Sequence, residues 1–311
     1  MDAIPKLAPQ TAIVVVGAAN LDITASASAA LCAGDSTPGL VAYSAGGVAR
    51  NVAENLARLG HAVGLVSVVG DDAFGRMVTA ATADAGVDTT CVQALAGYRT
   101  ATYVSVHGPQ ADMAMAVNDM SILDQLTPRV LESQAGLLRS AQAVVFDANL
   151  SSEALCFLFD LDGLPPVAVD AVSVAKCVRL APWLARIHTL KVNRMEAQAL
   201  LGQAVASVPD ALAAAQALQA RGPAQVIVSL GDQGVAWCDA LGRPGFHPAP
   251  VVVVVNTSGA GDALLAGLVH GHRQGWNLES AVQFGISCAA MTLSSALANH
   301  PALSVRAVLD F

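Results

Sequence analysis

The chain has 311 residues, of which 54% are apolar and 13% are charged, whereas roughly 25% of the residues of an average globular protein are charged. This length and composition suit one large α/β domain with an extensive core, and we expect a single domain over residues 1–311. The formal net charge is −8 and no cluster of Lys and Arg is present, so the sequence gives no support for binding to nucleic acid.

Strands and helices are predicted to alternate along most of the chain. Residues 1–10 lack a basic region followed by an apolar one, so we expect no secretory signal there. Residues 11–17 form an apolar run that ends in Gly, as in a central strand of a parallel sheet. In 46–60 the apolar residues follow one face of a helix, and Gly60 ends it.

The same alternation continues downstream. Further strands are expected at 62–70, 143–150, 167–172, 188–192, 225–230 and 234–240. Further helices are expected at 72–86, 151–159, 174–185, 194–202, 208–221, 260–273 and 277–296. Repeated βα units predict a doubly wound, mainly parallel sheet with helices on both faces.

The uncharged stretch 280–305 and the cysteines bear on location. The stretch contains several polar residues and Pro301, so we expect a buried helix followed by a loop and no membrane span.

Six cysteines are scattered without C-x-x-C spacing, which favours buried, reduced thiols in a cytoplasmic protein over disulfides or metal ligands.

Two segments interrupt the alternation. Residues 23–44 and about 91–118 are short, alternating and rich in turn residues. They could pair as a small β-sheet that forms a lid on one side of the large sheet, or they could be two unrelated surface excursions.

Residues 251–267 (VVVVVNTSGAGDALLAG) are the first candidate for chemistry. Five valines predict a buried strand, and a turn of Gly and Ala leads from it into a helix that carries Asp262 in its first turn. The G-x-x-x-x-G-K-[ST] motif is absent, and the third Gly of a dinucleotide-binding fingerprint is missing, which disfavours a nicotinamide-dependent oxidoreductase. Small residues at a helix start can hold an anion, and a neighbouring carboxylate can act as a base. Alternatively, Asp262 only caps the helix.

Five segments in order resemble the ribokinase (PfkB-type) family of carbohydrate kinases over essentially the whole chain. Residues 45–60 (AGGVARNVAENLARLG) and 256–267 (NTSGAGDALLAG) resemble the two family signatures. Three accompanying motifs are at 17–24 (GAANLDIT), 191–200 (KVNRMEAQAL) and 228–235 (VSLGDQGV). The resemblance implies a ribokinase-like fold, in which the two interrupting segments form the lid, and ATP and Mg²⁺ as cosubstrate and cofactor.

The resemblance also assigns roles to individual residues. It implies that Asp262 is the base for the acceptor hydroxyl and that Gly259, Ala260 and Gly261 form the anion hole. It places sugar binding at Asn20, Asp22, Gly46, Gly47 and Asn51. It places ATP binding at Asn193, Ser229, Gly231, Gly234, Gly259 and Gly261. Asn193 and Glu196 match the motif that positions Mg²⁺, although the same spacing is also typical of a helix capping box.

Within this family, several features resemble the pseudouridine kinases. They are Arg50 in the first signature, the segments 116–122, 169–177 and 187–197, and Asn256 at the start of the second signature. This resemblance implies ATP-dependent phosphorylation of the 5′-hydroxyl of pseudouridine. Asn118 and Asp119, with Thr100 and Lys176 behind them, are candidates to contact the base, or else these four residues only shape the lid.

Some expectations remain open to alternatives. The family usually has Asp where Asn256 stands, and in relatives that Asp helps to hold a monovalent cation, so a K⁺ requirement is doubtful. The acceptor could instead be ribose, inosine, adenosine or cytidine, or the chain could be a catalytically silent nucleoside-binding sensor. Lid sheets of the family often pair between subunits, so we expect a homodimer and no membrane partner.

Overall fold

The computed structural model describes residues 12–110 and 112–311, and the expectation about a secretory signal at 1–10 lies outside them. The strands are β1 Ile13–Val16, β2 Asn20–Ala27, β3 Gly39–Gly46, β4 Val63–Gly70, β5 Val92–Leu95, β6 Thr102–His107, β7 Met113–Asp119, β8 Ala143–Asp147, β9 Val167–Asp170, β10 Thr189–Asn193, β11 Gln225–Ser229, β12 Val235–Cys238 and β13 Pro244–His247. The helices are α1 Val48–Arg58, α2 Ala73–Asp84, α3 Pro128–Glu132, α4 Ala135–Ser140, α5 Ser152–Asp160, α6 Val174–Cys177, α7 Arg194–Leu201, α8 Val208–Gln219, α9 Ala260–Arg273, α10 Leu278–Leu293 and α11 Val305–Leu309.

Nine strands form the large sheet, in the order β13-β12-β11-β10-β9-β8-β1-β4-β5. The strands from β11 to β5 are parallel, and β12 and β13 are antiparallel additions at one edge. Along β1, Val14 and Val16 pack into one hydrophobic layer while Ile13 and Val15 pack into the other. Because both faces are covered, the strand is apolar throughout rather than alternating. The predicted doubly wound, mainly parallel sheet is confirmed.

A second, four-stranded sheet has the order β3-β2-β6-β7. Its strands extend slightly beyond the first predicted segment, because β2 begins at Asn20 and β3 ends at Gly46. The second predicted segment, about 91–118, begins too early: β5 pairs in parallel with β4 and belongs to the large sheet. A short alternating strand has the same pattern at the edge of either sheet, so the sequence did not separate β5 from the small sheet.

The two faces of the small sheet differ in polarity. Cross-strand partners share a face, because side chains alternate along every strand. One row across the sheet is Ser44, Asp22, Tyr103 and Asn118. The next row, on the opposite face, is Tyr43, Ile23, Val104 and Val117. In these two rows one face of the sheet is mainly polar and the opposite face, called the apolar face below, is apolar.

The buried strand predicted from the five valines at 251–255 is wrong. The segment forms no strand, and Val251, Val253, Val254 and Val255 are exposed. The Val255 N–H donates a hydrogen bond to the Leu293 carbonyl at the end of α10. An apolar run becomes a buried strand only beside a partner strand, and the edge position next to β12 is taken by β13.

Other sequence-based bounds also differ. The helix expected at 174–185 is the short α6 followed by a 3₁₀ helix at Val178–Arg186, because Pro182 lacks the N–H that an α-helix needs. Helix α10 and the loop after it agree with the prediction for 280–305. A short helix that the sequence did not predict, α11, follows this loop. Two of the six cysteines, Cys32 and Cys156, are exposed rather than buried, and all six are free thiols. Within residues 12–110 and 112–311, no helix is long and apolar enough to cross a membrane.

Candidate active site

The candidate site lies at the carboxyl ends of the central strands. Asp147 ends β8, Asp170 ends β9, Asn193 ends β10 and Ser229 ends β11. In an open parallel sheet this edge is where ligands bind, because the loops that leave the strands diverge there. The first turns of α1 and α9 point to the same edge and bring Asn51 and Asp262 together.

Asp262 is held in the first turn of α9 by Asn51. The Nδ2 amide of Asn51 donates to Oδ2 of Asp262 at 2.8 Å, and both side chains are buried. The family resemblance implied sugar binding at Asn51, and the structure places its amide against the Asp262 carboxylate. A buried carboxylate with one donor on one oxygen retains a second oxygen that can accept a proton.

Burial raises the pKa of Asp262 to about 8, and the nearby Asp170 carboxylate adds to the shift. The Lys191 ammonium and the Asn51 hydrogen bond oppose it. A carboxyl in this range is a stronger base than an ordinary one, and it still changes charge near neutral pH. These are the properties that a catalytic proton acceptor needs.

The start of α9 is arranged for an anion. Its N-cap is Gly259, which has the left-handed φ of +79°, and no side chain caps the helix there. A Cβ on Gly259 would lie 1.8 Å from the Ala298 carbonyl oxygen, so only glycine fits. The N–H groups that begin the helix, at Ala260 and Gly261, have no acceptor within the helix and carry its partial positive charge. The predicted anion hole of Gly259, Ala260 and Gly261 is therefore compatible with this geometry.

Lys191 is a further candidate site residue, which the sequence did not single out. Its Nζ donates to Oδ2 of Asp170 at 2.9 Å, both side chains are buried, and a Cβ on Gly261 would lie 2.5 Å from that Nζ. Burial alone would lower the pKa of Lys191, but the carboxylates of Asp170, Glu196 and Asp262 outweigh it and raise that pKa. The ammonium is thus a fixed positive charge directly beneath the start of α9. The one sequence signal was a lysine between the apolar residues Leu190 and Val192 of a predicted strand.

Asp147 is a second residue that the sequence did not single out. Its Oδ2 accepts from the backbone N–H groups of Ala18 and Ala49, each at 2.9 Å, and its Oδ1 accepts from the N–H of Asn149. Burial raises its pKa to about 6, although these hydrogen bonds oppose the shift. The carboxyl group ties the chain after β1 to the start of α1. It thereby positions the segments that carry Asp22 and Asn51.

The predicted sugar-binding residues of the first motif lie together. Asn20 Nδ2 donates to Oδ1 of Asp22 at 2.6 Å, and a Cβ on Gly46 would lie 2.1 Å from the Asp22 carboxylate. Gly46 is therefore required for Asp22 to lie where it does. Gly47, with φ of +103°, is the N-cap of α1. Burial raises the pKa of Asp22, while the Asn20 hydrogen bond and the Arg50 charge oppose the shift.

The four candidates for base contact occupy different environments. Asn118 lies in the polar row of the small sheet with Asp22, whereas Asp119 is on the other face and accepts from the Ser121 hydroxyl and N–H. The Thr100 hydroxyl donates to Asp72 at 2.6 Å. Lys176 donates to Asn149 Oδ1, and burial lowers its pKa. Of these four residues, only Asn118 lies in the same cross-strand row as Asp22.

Asn193 and Glu196 form a closed capping box at the start of α7. The Asn193 amide and N–H donate to the two Glu196 carboxylate oxygens at 2.7 and 2.8 Å, and Glu196 N–H donates back to Asn193 Oδ1. Each carboxylate oxygen retains a free lone pair, which suits a water of a hydrated Mg²⁺ better than direct ligation. In the described part of the chain, no group of three or more His, Cys, Asp or Glu is placed to hold a metal directly.

The remaining nucleotide candidates border this box. Ser229 is the cross-strand partner of Asn193. Gly231 and Gly234 have φ of +64° and +120° and bound a 3₁₀ turn after β11. Asn256 is used locally: its Nδ2 donates to the Ala296 carbonyl and its Oδ1 accepts from the Ser258 N–H.

Comparisons with known proteins agree with this fold. The model of the pfkB family of carbohydrate kinases matches residues 10–304. An Escherichia coli protein named uncharacterized sugar kinase YeiI is 40% identical over 96% of this chain and 82% of its own length. The Escherichia coli pseudouridine kinase is 35% identical over 96% of this chain and 95% of its own length. A solved Arabidopsis thaliana ribokinase, complexed with ribose and ATP, superposes with a TM-score of 0.83 at 22% identity, covering 96% of this chain and 98% of that one. The chain belongs to the pfkB family of carbohydrate kinases, which are phosphotransferases with an alcohol group as acceptor.

Proposed function

We propose that the chain transfers the γ-phosphoryl group of ATP to the 5′-hydroxyl of pseudouridine. The observation that carries the chemistry is the pairing of Asp262 with the uncapped start of α9. Ribokinase-family kinases use ATP and Mg²⁺. Mg²⁺, when bound, would neutralise negative charge on the phosphates of ATP. Asn193 and Glu196 would hold it through its water shell.

In this mechanism Asp262 accepts the proton of the acceptor hydroxyl. The hydroxyl oxygen attacks the γ-phosphorus as the bond to the leaving oxygen of ADP breaks, and the proton passes to the free oxygen of Asp262. The N–H groups of Gly259, Ala260 and Gly261 face the charge on the transferring group. Loss of the proton is late in such a reaction, so a carboxylate is a sufficient base.

Asp22 and Asn118 are the proposed contacts for the nucleoside. The Asp22 carboxylate can accept from both hydroxyls of a ribose diol. Pseudouridine differs from uridine by an N1–H donor, and a buried donor without an acceptor costs about 1–3 kcal/mol. The Asn118 side chain lies on the same sheet face as Asp22, so its carbonyl oxygen is the favoured acceptor for N1–H. In this proposal Thr100, Lys176 and Asp119 do not contact the base.

A panel of acceptors tests the proposal. The purified chain is incubated with ATP, Mg²⁺ and, separately, pseudouridine, uridine, inosine, adenosine, cytidine and ribose. The proposal predicts the highest kcat/KM with pseudouridine. Asn118→Ala should reduce the preference over uridine and its matched neighbour Asp119→Ala should keep it. Preference for any other acceptor would refute the substrate assignment and leave the kinase family intact.

A kinase for another nucleoside or sugar is the second candidate. It is favoured by the identity values, since the relative named as an uncharacterized sugar kinase is 40% identical and the pseudouridine kinase 35%. A silent sensor is a third candidate, disfavoured by the intact Gly259–Asp262 turn. Binding of nucleosides without turnover of ATP would support the sensor.

The apolar face of the small sheet supports a homodimer. Val41, Tyr43, Met115 and Val117 are each more than 60% exposed, and their strand positions place them on this one face. A contiguous exposed apolar face of this kind is typical of a protein interface. A second copy of the same face is the proposed occupant, because Asp22 and Asn118 reserve the opposite face for the substrate.

Location and cation requirement complete the proposal. All six cysteines are free thiols, which fits a reducing compartment such as the cytoplasm. Asn256 carries no charge and its amide is engaged by Ala296 and Ser258, so we expect no dependence on K⁺.

A further inference from the structure

Arg50 is a buried guanidinium beside the candidate base, and only 4% of the residue is exposed. Its Nη1 donates to three oxygens: the Asn299 Oδ1 at 2.9 Å, the Asn51 Oδ1 at 3.1 Å and the Ala45 carbonyl at 3.3 Å. Its Nε donates to the Thr82 hydroxyl at 3.2 Å. Guanidinium groups are donors only and have a fixed planar geometry, so this set of contacts fixes the directions of its acceptors.

The orientation of the Asn51 amide depends on this contact. Because Arg50 can only donate, the oxygen of the Asn51 amide must face Arg50. The Nδ2 group then faces away from Arg50 and donates to Asp262. Without Arg50, the amide could turn over and present its oxygen to the carboxylate, which would repel it.

The other two acceptors of Arg50 Nη1, the Ala45 carbonyl and Asn299 Oδ1, lie on different elements around the candidate site. Ala45 lies in β3, next to Gly46 and Asp22 at the base of the small sheet. Asn299 lies in the loop after α10 and also donates to the backbone carbonyl of Asn51 at 2.9 Å. That loop carries Ala298, whose carbonyl oxygen is packed against Gly259. One side chain therefore connects the small sheet, the turn before α9 and the residue that holds Asp262.

We propose that Arg50 is a positioning residue for phosphoryl transfer: it sets the orientation of the Asn51 amide and fixes the small sheet and the 294–304 loop to it. This inference rests on the proposed role of Asp262 as the base. A lysine at the same position keeps the charge but supplies a single nitrogen, and therefore loses the planar set of contacts.

The alternative is that Arg50 only neutralises Glu54, and Arg58 provides the matched control. Glu54 pairs with both arginines, and Arg58 also donates to the Pro301 carbonyl, in the same 294–304 loop as Asn299. Arg58 therefore matches Arg50 in the pairing with Glu54 and in a contact with this loop, whereas the hydrogen bond to the Asn51 side chain comes from Arg50. Arg50→Lys and Arg58→Lys make the same change on the two partners of one carboxylate. A purely structural role predicts similar effects for the two variants.

The kinetic test is a double-mutant cycle with Asn51→Ala, on an acceptor that the wild type phosphorylates. Arg50→Lys should lower kcat by about tenfold to a hundredfold with an unchanged KM for ATP, because small misplacements of catalytic groups have effects of that size. In the Asn51→Ala background the same change should lower kcat little further. Arg58→Lys should leave kcat at the wild-type level. Multiplicative losses, or equal losses for the two arginines, would overturn the proposal.

A measurement without turnover separates this inference from the proposed function. The carboxyl carbon of Asp262 is titrated by ¹³C NMR and identified by its absence in Asp262→Asn. Loss of the Asn51 donor should move its pKa upward in Arg50→Lys and leave it in place in Arg58→Lys; no movement in Arg50→Lys refutes the inference. If no acceptor is phosphorylated, the proposed function fails and this titration still decides the role of Arg50. If Arg50→Lys does not fold, Asn299→Ala, which removes one contact to each of Arg50 and Asn51, replaces it with the same expected upward shift.

Discussion

The Asn51 amide donates a hydrogen bond of 2.8 Å to Oδ2 of Asp262 and joins the first turns of α1 and α9, although the two residues are 211 positions apart. The bond stabilises the ionised carboxylate. Burial and the neighbouring carboxylates of Asp170 and Asp147 favour its protonated form. The balance between these opposing effects determines when Asp262 can accept a proton.

The first prediction concerns the pH dependence of turnover. The pKa of Asp262 is raised to about 8, and the carboxyl must be ionised to act as a base. At saturating ATP, kcat/KM for the acceptor should therefore rise with pH up to about 8, whereas an ordinary carboxylate would already be ionised above about pH 5. In Asn51→Ala the rise should occur at still higher pH, because the lost hydrogen bond lowers the pKa. A flat wild-type profile between about pH 5 and 8 would contradict this assignment.

The second prediction concerns stability. Asp262 has a pKa of 3.8 in an ordinary environment and about 8 in the folded chain, so the folded state binds the proton more tightly than the unfolded state. Its contribution to stability therefore falls as pH rises from about 4 to about 8. Asp262→Asn should melt at a higher temperature than the wild type, by a margin that widens over this pH range. Asp84→Asn, on an exposed carboxylate, is the control and should show no widening margin. A margin that stays constant or narrows would refute the account.

The third prediction concerns the buried pair of Lys191 and Asp170. Removing one partner of a buried pair typically costs about 3–5 kcal/mol, because the other charge is left without compensation. Lys191→Met should lower the free energy of unfolding by about that amount, measured by denaturant titration. Lys191→Met combined with Asp170→Asn should recover part of the loss. Arg76→Met, at the exposed pair of Arg76 and Asp71, is the control and should cost no more than about 1 kcal/mol. Equal costs at the two pairs would contradict the burial argument.

The sequence predicted features that depend on local pattern and missed those that depend on tertiary neighbours. The alternation of strands and helices and the turn before α9 follow from periodicity and from the two signatures. The valines at 251–255 have the composition of a buried strand, but only the sheet edge decides whether a partner strand is present, and β13 takes that place.

Long-range pairings of charged and polar side chains could likewise not be predicted from the sequence. Lys191 and Asp170 are direct cross-strand partners of β10 and β9, which follows from a register that the sequence does not specify. Arg50 was singled out only for its resemblance to a subfamily. Its contact with Asn299 joins residues 249 positions apart.

The fourth prediction concerns the apolar face of the small sheet. If two copies pair through this face, a charge introduced on it should separate them, because a buried unpaired charge is unfavourable. Tyr43→Asp should shift the chain from dimer to monomer in sedimentation velocity. Leu241→Asp, at a more exposed apolar residue in the turn between β12 and β13, should leave the dimer intact. A wild-type chain that is monomeric at all concentrations would refute the proposed interface.

Asp262→Asn tests the central claim most directly, by steady-state turnover with pseudouridine and by calorimetric titration with ATP and Mg²⁺. The substitution keeps the size of the side chain and removes the proton acceptor. The account predicts that kcat falls by about 10²–10⁴-fold while the affinity for ATP is unchanged. Turnover close to that of the wild type would contradict the assignment of Asp262 as the base.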